Sequence, residues 1–187
     1  MEDALQKRGQ AQEARFFAHK KAELRSQLRQ READTITKEE ISAATGITDD
    51  QLLDRLVNMK INVQTLTALS VVPLVEVAWA DGQMHDKERA AVLQAAAEAG
   101  IPEDGPGYKL LTQWLDDKPN LDMLAAWKDY VAALAETLDA DAYAQVRDNL
   151  IAKAVQVASS AGGILGIGKI STAEEQKIEQ LKAAFKS

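Results

Sequence analysis

Val72-Pro73-Leu74-Val75-Glu76-Val77-Ala78-Trp79-Ala80-Asp81-Gly82-Gln83-Met84-His85-Asp86-Lys87-Glu88 decides how the chain is read. Its first half closes the most apolar run in the sequence, Val63 to Trp79. Pro73 lies inside that run. Proline lacks an amide and clashes with the preceding turn, so it either kinks a helix here or marks a helix start near Ser70. Gly82 permits the positive φ with which a chain leaves a helix. Met84 then tucks under the next helix as an apolar staple, His85 takes the N-cap position, and Glu88 at N3 completes a capping-box pattern. Where a serine would be common, His85 makes a weaker cap.

The same spelling returns near the end of the chain. Gly168-Lys169-Ile170-Ser171-Thr172-Ala173-Glu174 repeats glycine, any residue, a large apolar residue, a cap, two residues, then glutamate. Each copy follows an apolar helix and opens an amphipathic one. Residues 63–187 therefore read as two related helical halves packed on each other. Between the copies lie further helical patterns. One runs from the turn to about Ala99 and stops at Gly100 and Pro102. A second follows Gly105-Pro106-Gly107 and carries Tyr108, Leu111, Trp114 and Leu115. A third presents Leu124, Trp127, Val131, Leu134 and Leu138 at spacings of three and four; a fourth spans about Ala142 to Ser159. The last starts after Ser171 and runs to Phe185. Trp79, Trp114 and Trp127 read as core anchors. Aromatic residues are only 5% and alternating β-branched runs are missing, so the expected class is all-α.

Outward toward the N-terminus, residues 3–33 read as one long charged helix. Phe17, Leu24 and Leu28 share a face too narrow to bury much, so this helix needs a partner surface. Thr37-Lys38-Glu39-Glu40 and Thr48-Asp49-Asp50-Gln51 look like two more capping boxes, with Gly46 between them. The organisation expected is a charged helix over 1–35, a short helical hairpin over 36–62 and a helical domain over 63–187.

The turn Val72 to Gly82, followed by Glu88-Arg89, resembles the TerB-like family of tellurite resistance, and the second copy supports the likeness. The resemblance covers about residues 63–187. It implies a helical bundle of pseudo-repeated halves and a link to tellurite resistance, stress responses and metal-containing complexes. It also implies a divalent cation (calcium, magnesium or manganese) at Asp81 and Glu88. In the second copy Ile167 stands where Asp81 stands in the first, although Glu174 remains. Read from the residues alone, Asp81 satisfies turn amides and Glu88 caps a helix. Two carboxylates need further oxygen donors to hold such an ion.

Composition narrows the chemistry. With no cysteine there is no disulfide framework, thiolate metal site or cysteine nucleophile. With two histidines, His19 and His85, no multi-histidine metal site is built in one chain. Gly163 to Lys169 matches the start of a phosphate-binding loop, but Ile170 replaces the hydroxyl residue that would hold magnesium. A helix-turn-helix reading of Ile41 to Met59 places Asp49 and Asp50 where phosphates would be met, so nucleic acid is not expected. No apolar run approaches a membrane span and no secretory signal is seen, so the expected location is the cytoplasm.

Charge is divided along the chain. Residues 1–31 hold eight Lys/Arg and four Asp/Glu, a balance of +4, while the remainder holds 14 and 25, a balance of −11. The basic helix therefore suits an acidic surface. Phe16, Phe17, Lys20, Lys21 and Leu24 are its candidate partner-binding residues. Packing on this protein's own acidic body and contact with a membrane surface are alternatives. The segment also faintly resembles the N-terminal helix of the zeta inhibitor of bacterial F-type ATP synthases. The expected function is a non-catalytic binding or scaffold module. The alternative is a regulatory or inhibitory subunit that docks on a larger enzyme through the same helix. No nucleophile–base pair or cofactor loop marks an enzyme. The oligomeric state is open.

Overall fold

The computed structural model describes residues 2–119, 123–136, 138–161 and 170–185, and the side chains of these from His19 onward. Among the described residues the protein is all-helical. The helices are α1 (Glu2–Thr45), α2 (Asp50–Asn58), α3 (Val72–Ala78), α4 (Asp86–Glu98), α5 (Pro106–Asp116), α6 (Met123–Ala135), α7 (Ala140–Ser160) and α8 (Thr172–Ala184). A 3-10 segment, Leu66–Val71, leads into α3.

The apolar run forms the centre. Val72, Pro73, Leu74, Val75, Val77 and Ala78 of α3 are all buried, and α3 packs against α4, α6, α7 and α8. A helix apolar on nearly every side is stable only when surrounded. Its half-buried Glu76 is held by Lys177 of α8 at 2.8 Å. Pro73 lies in the first turn, where amides have no partner within the helix, so it starts α3 and does not kink it. Gly46 and Gly100 each leave a helix with positive φ, at 77° and 79°, while Gly82, at 88°, turns the chain three residues beyond Trp79, the end cap of α3.

Trp114 and Trp127 are buried anchors as expected. Trp79 is partly buried and donates its indole N–H to the Trp114 carbonyl at 2.8 Å, tying the exit of α3 to α5. The α6 stripe buries Leu124, Trp127 and Val131, but the helix ends at Ala135, so Leu138 lies beyond it.

The N-terminal region differs from expectation. No break separates a helix over 3–33 from one starting at Thr37, because α1 is continuous to Thr45. The Thr37 hydroxyl does not cap; it donates to the Ala33 carbonyl at 2.9 Å, one turn back, as Thr45 does to Ile41 at 2.8 Å. A threonine can satisfy its hydroxyl inside a helix, and no glycine or proline lies between residues 34 and 45 to force an exit. The second expected box is displaced by one residue. Asp49, not Thr48, caps α2, accepting from the Leu52 amide at 2.8 Å.

The end of α1 packs on α2, and α2 packs on α6. Ile41, Leu52, Leu53, Leu56, Met59 and Ile61 join the core, so the segment over 36–62 is seated on the body. Lys38 of α1 bridges Asp50, at 3.0 Å, and Asp54 of α2. Arg55 of α2 pairs with Asp129 of α6.

Candidate functional site

The turn between α3 and α4 and the start of α8 come together at two glutamates. In the first turn, Asp81 accepts a hydrogen bond from the Gln83 amide at 2.9 Å. Its other carboxylate oxygen lies 3.6 Å from Nε2 of His85. Met84 packs against the core as a staple. Glu88 reaches back and accepts from the His85 amide at 3.1 Å, while the His85 imidazole makes no capping hydrogen bond. At α8 both halves of the box form: the Ser171 hydroxyl accepts from the Glu174 amide at 3.2 Å, and the Glu174 carboxylate accepts from the Ser171 amide at 2.6 Å. Ile170 is the matching staple. The glycine of this second copy, Gly168, and the whole loop 162–169 lie outside the described residues.

Glu88 and Glu174 are only 2% and 5% exposed, and the Glu174 carboxyl is close enough to disfavour the ionised form of Glu88. Two ionised carboxylates close together inside a core repel strongly, so such a pair retains a proton. Burial first, and Glu174 second, push the Glu88 carboxyl up to about 7; the His85 amide works in the opposite direction. This buried carboxyl pair was not read from the sequence. Its signal was the repeated spelling itself. Two helix starts that pack through the same core bring their N3 positions toward one place.

The two candidate metal ligands are therefore close in sequence but differently employed. Asp81 sits at the surface and holds a turn amide; Glu88 points inward and holds a helix cap and a carboxyl neighbour. Among the described residues, no group of three or more His, Cys, Asp or Glu converges. Calcium and magnesium ask for about six oxygen donors, while Asp81 and Glu88 each already accept from a backbone amide. Millimolar calcium, magnesium or manganese should leave the thermal midpoint unchanged. A rise of several degrees that is lost in Asp81→Ala would place an ion at this turn.

The other candidates lie far from this pair, on α1. Lys20, Lys21 and Leu24 are exposed, as is every residue from His19 to Ala33. Leu24 and Leu28 are 52% and 58% exposed, large values for leucine on a folded helix. The side chains of Phe16 and Phe17 lie outside the described residues. The would-be recognition helix α2 spends Asp49 on its own cap and Asp50 on Lys38.

No family model, curated protein or solved structure matches this chain. The resemblance to the TerB-like family thus rests on the sequence alone, on Val72 to Gly82 followed by Glu88-Arg89 and on the second spelling at Gly168 to Glu174. Among the described residues no helix is long and apolar enough to cross a membrane.

Proposed function

We propose that this protein is a non-catalytic binding module, a TerB-like helical body that presents the N-terminal part of α1 as a docking arm. One observation carries the reading. From His19 to Ala33 a regular helix runs exposed at every position, with Leu24 and Leu28 one turn apart on one face. A sparse, highly charged helix gains little stability by itself, and paired apolar residues on it are stabilised when a partner covers them. The basic balance of +4 over residues 1–31 favours an acidic partner surface. The link to tellurite resistance and stress is supported by the resemblance alone.

The test compares tagged wild type with the double variant Leu24→Asp, Leu28→Asp in the source cells. Both positions are exposed, so the two proteins should melt together. Wild type should enrich at least one protein that the variant loses, by about tenfold or more. An identical set of co-purifying proteins would overturn the arm.

A further inference from the structure

We propose that the arm docks on a second copy of this chain, in a groove beside the root of α1. The inference rests on the docking-arm reading above and names an occupant for it. The groove has a volume of about 710 Å³ and lies between the end of α1, the start of α2 and the second half of α6. Leu52, Leu66 and Tyr130 supply apolar lining; Asp49, Asp129 and Glu136 supply three carboxylates. Arg55, the cation facing it, is paired with Asp129, which leaves the groove acidic. This is a lining suited to two leucines flanked by cations.

The arm has that chemistry. At 100° per residue, Lys21, Leu24, Leu28 and Arg31 fall on one side of α1, and Lys38, nearer the body, lies at the edge of that side. At Lys38 the edge of this side already meets an acidic helix. Ile41 is completely buried, and Lys38 holds Asp50 and Asp54 of α2. Lys38 thus already pairs with carboxylates at the edge of this side, the chemistry that Lys21 and Arg31 would meet in the groove. Two arms laid against each other would instead bring Lys21 and Arg31 into a seam of cations, which disfavours an arm-to-arm coiled coil.

The arm cannot reach its own groove. Ala44 and Thr45 border the groove, and α1 is unbroken from there back to Leu24. At 1.5 Å per residue, Leu24 stands about 30 Å away. A second copy offers an empty groove and returns its own arm, so a two-fold exchange satisfies both. The opposed balances of +4 and −11 would draw the two together and make the contact sensitive to salt.

Sedimentation of the full chain over a wide concentration series tests the exchange. Wild type should dimerise, and added salt should weaken the dimer. Leu24→Asp with Leu28→Asp spoils the arm; Ala132→Arg, at an exposed position lining the groove, spoils the receptor. Each variant alone should self-associate about tenfold or more weaker than wild type. Mixed, they should recover a one-to-one complex, because one supplies the intact groove and the other the intact arm. Matching melts of all three proteins exclude misfolding as the cause of a loss. A monomer at every concentration, a dimer indifferent to Ala132→Arg, or no recovery on mixing would overturn the proposal. If the chain is monomeric but binds phosphatidylserine vesicles through the arm, the arm belongs to a membrane surface. If it is monomeric and still shows arm-dependent co-purification, self-docking fails and the docking arm stands.

Discussion

Glu88→Gln should make the protein more stable above neutral pH. In the folded chain, burial and the neighbouring Glu174 raise the Glu88 carboxyl from its ordinary 4.5 to about 7. Unfolding releases it to the ordinary value. The folded state therefore binds more protons than the unfolded state across this window, and stability falls as pH rises. The contribution is complete below about pH 4.5 and is lost as pH rises through about 7. A displacement of that size corresponds to something on the order of 3 kcal/mol. Glutamine keeps the shape and needs no proton. Its carbonyl oxygen can accept from the His85 amide, and its NH₂ can donate to Glu174. Denaturant titrations should find the variant more stable than wild type by about 2–3 kcal/mol at pH 8.5, and within about 1 kcal/mol at pH 5. Glu88→Ala should behave differently. It leaves the His85 amide without its acceptor and should cost about 1–3 kcal/mol at pH 5, where wild type keeps most of the Glu88 contribution. Parallel pH slopes for wild type and Glu88→Gln would remove Glu88 as the group responsible.

The pair also shows where sequence reading reaches and where it stops. The exits at Gly46 and Gly100 and the turn at Gly82 were legible because glycine has a local conformational reason to be there: all three adopt positive φ, although α3 itself already ends at Trp79. The glutamates of both boxes were legible for the same kind of reason, since N3 reaches back over only three residues. Thr37 was misread because its local pattern is compatible with two outcomes. A threonine followed by glutamate at the third place caps a helix only if the backbone has already been broken. Here nothing breaks it, and the hydroxyl turns back to Ala33. At Thr48 the neighbouring Asp49 offers a stronger acceptor and takes the cap. The contact between Glu88 and Glu174 depends on how α4 and α8 pack around α3, which no local rule encodes. The groove is likewise a product of packing. Its lining comes from the end of α1, the start of α2, the 3-10 segment and the distant second half of α6. The arm was legible as a thin apolar stripe, but its direction away from the body follows from the unbroken run of α1.

Trp127→Ala should be among the most damaging single substitutions in the body. The ring is 2% exposed, on α6, and meets Phe185 edge-on at a centroid distance of 5.5 Å. Phe185, at the end of α8, meets Tyr143 of α7 at the same distance. Removing the indole discards a large apolar surface and opens a cavity between three helices, for which about 3–5 kcal/mol is expected. That is a large share of the roughly 5–15 kcal/mol that holds a domain together. Trp127→Phe should cost less, because it retains a ring for Phe185. The consequence for the carboxyl pair separates two behaviours of α8. The helix has 13 residues, too short to be stable alone, and is seated by Ile178, Leu181 and Phe185. If it moves as a unit when the Phe185 seat is lost, water reaches Glu174 and Glu88 at its other end. The Glu88 carboxyl then falls back toward 4.5 and the difference in stability between pH 5 and pH 8.5 shrinks. We expect that smaller difference, because Glu174 and Phe185 lie on one continuous helix with no glycine or proline between them. An unchanged pH difference beside a lowered overall stability would mean that α8 frays only at its end, with Ile178, Leu181 and the Lys177–Glu76 ion pair holding its start in place.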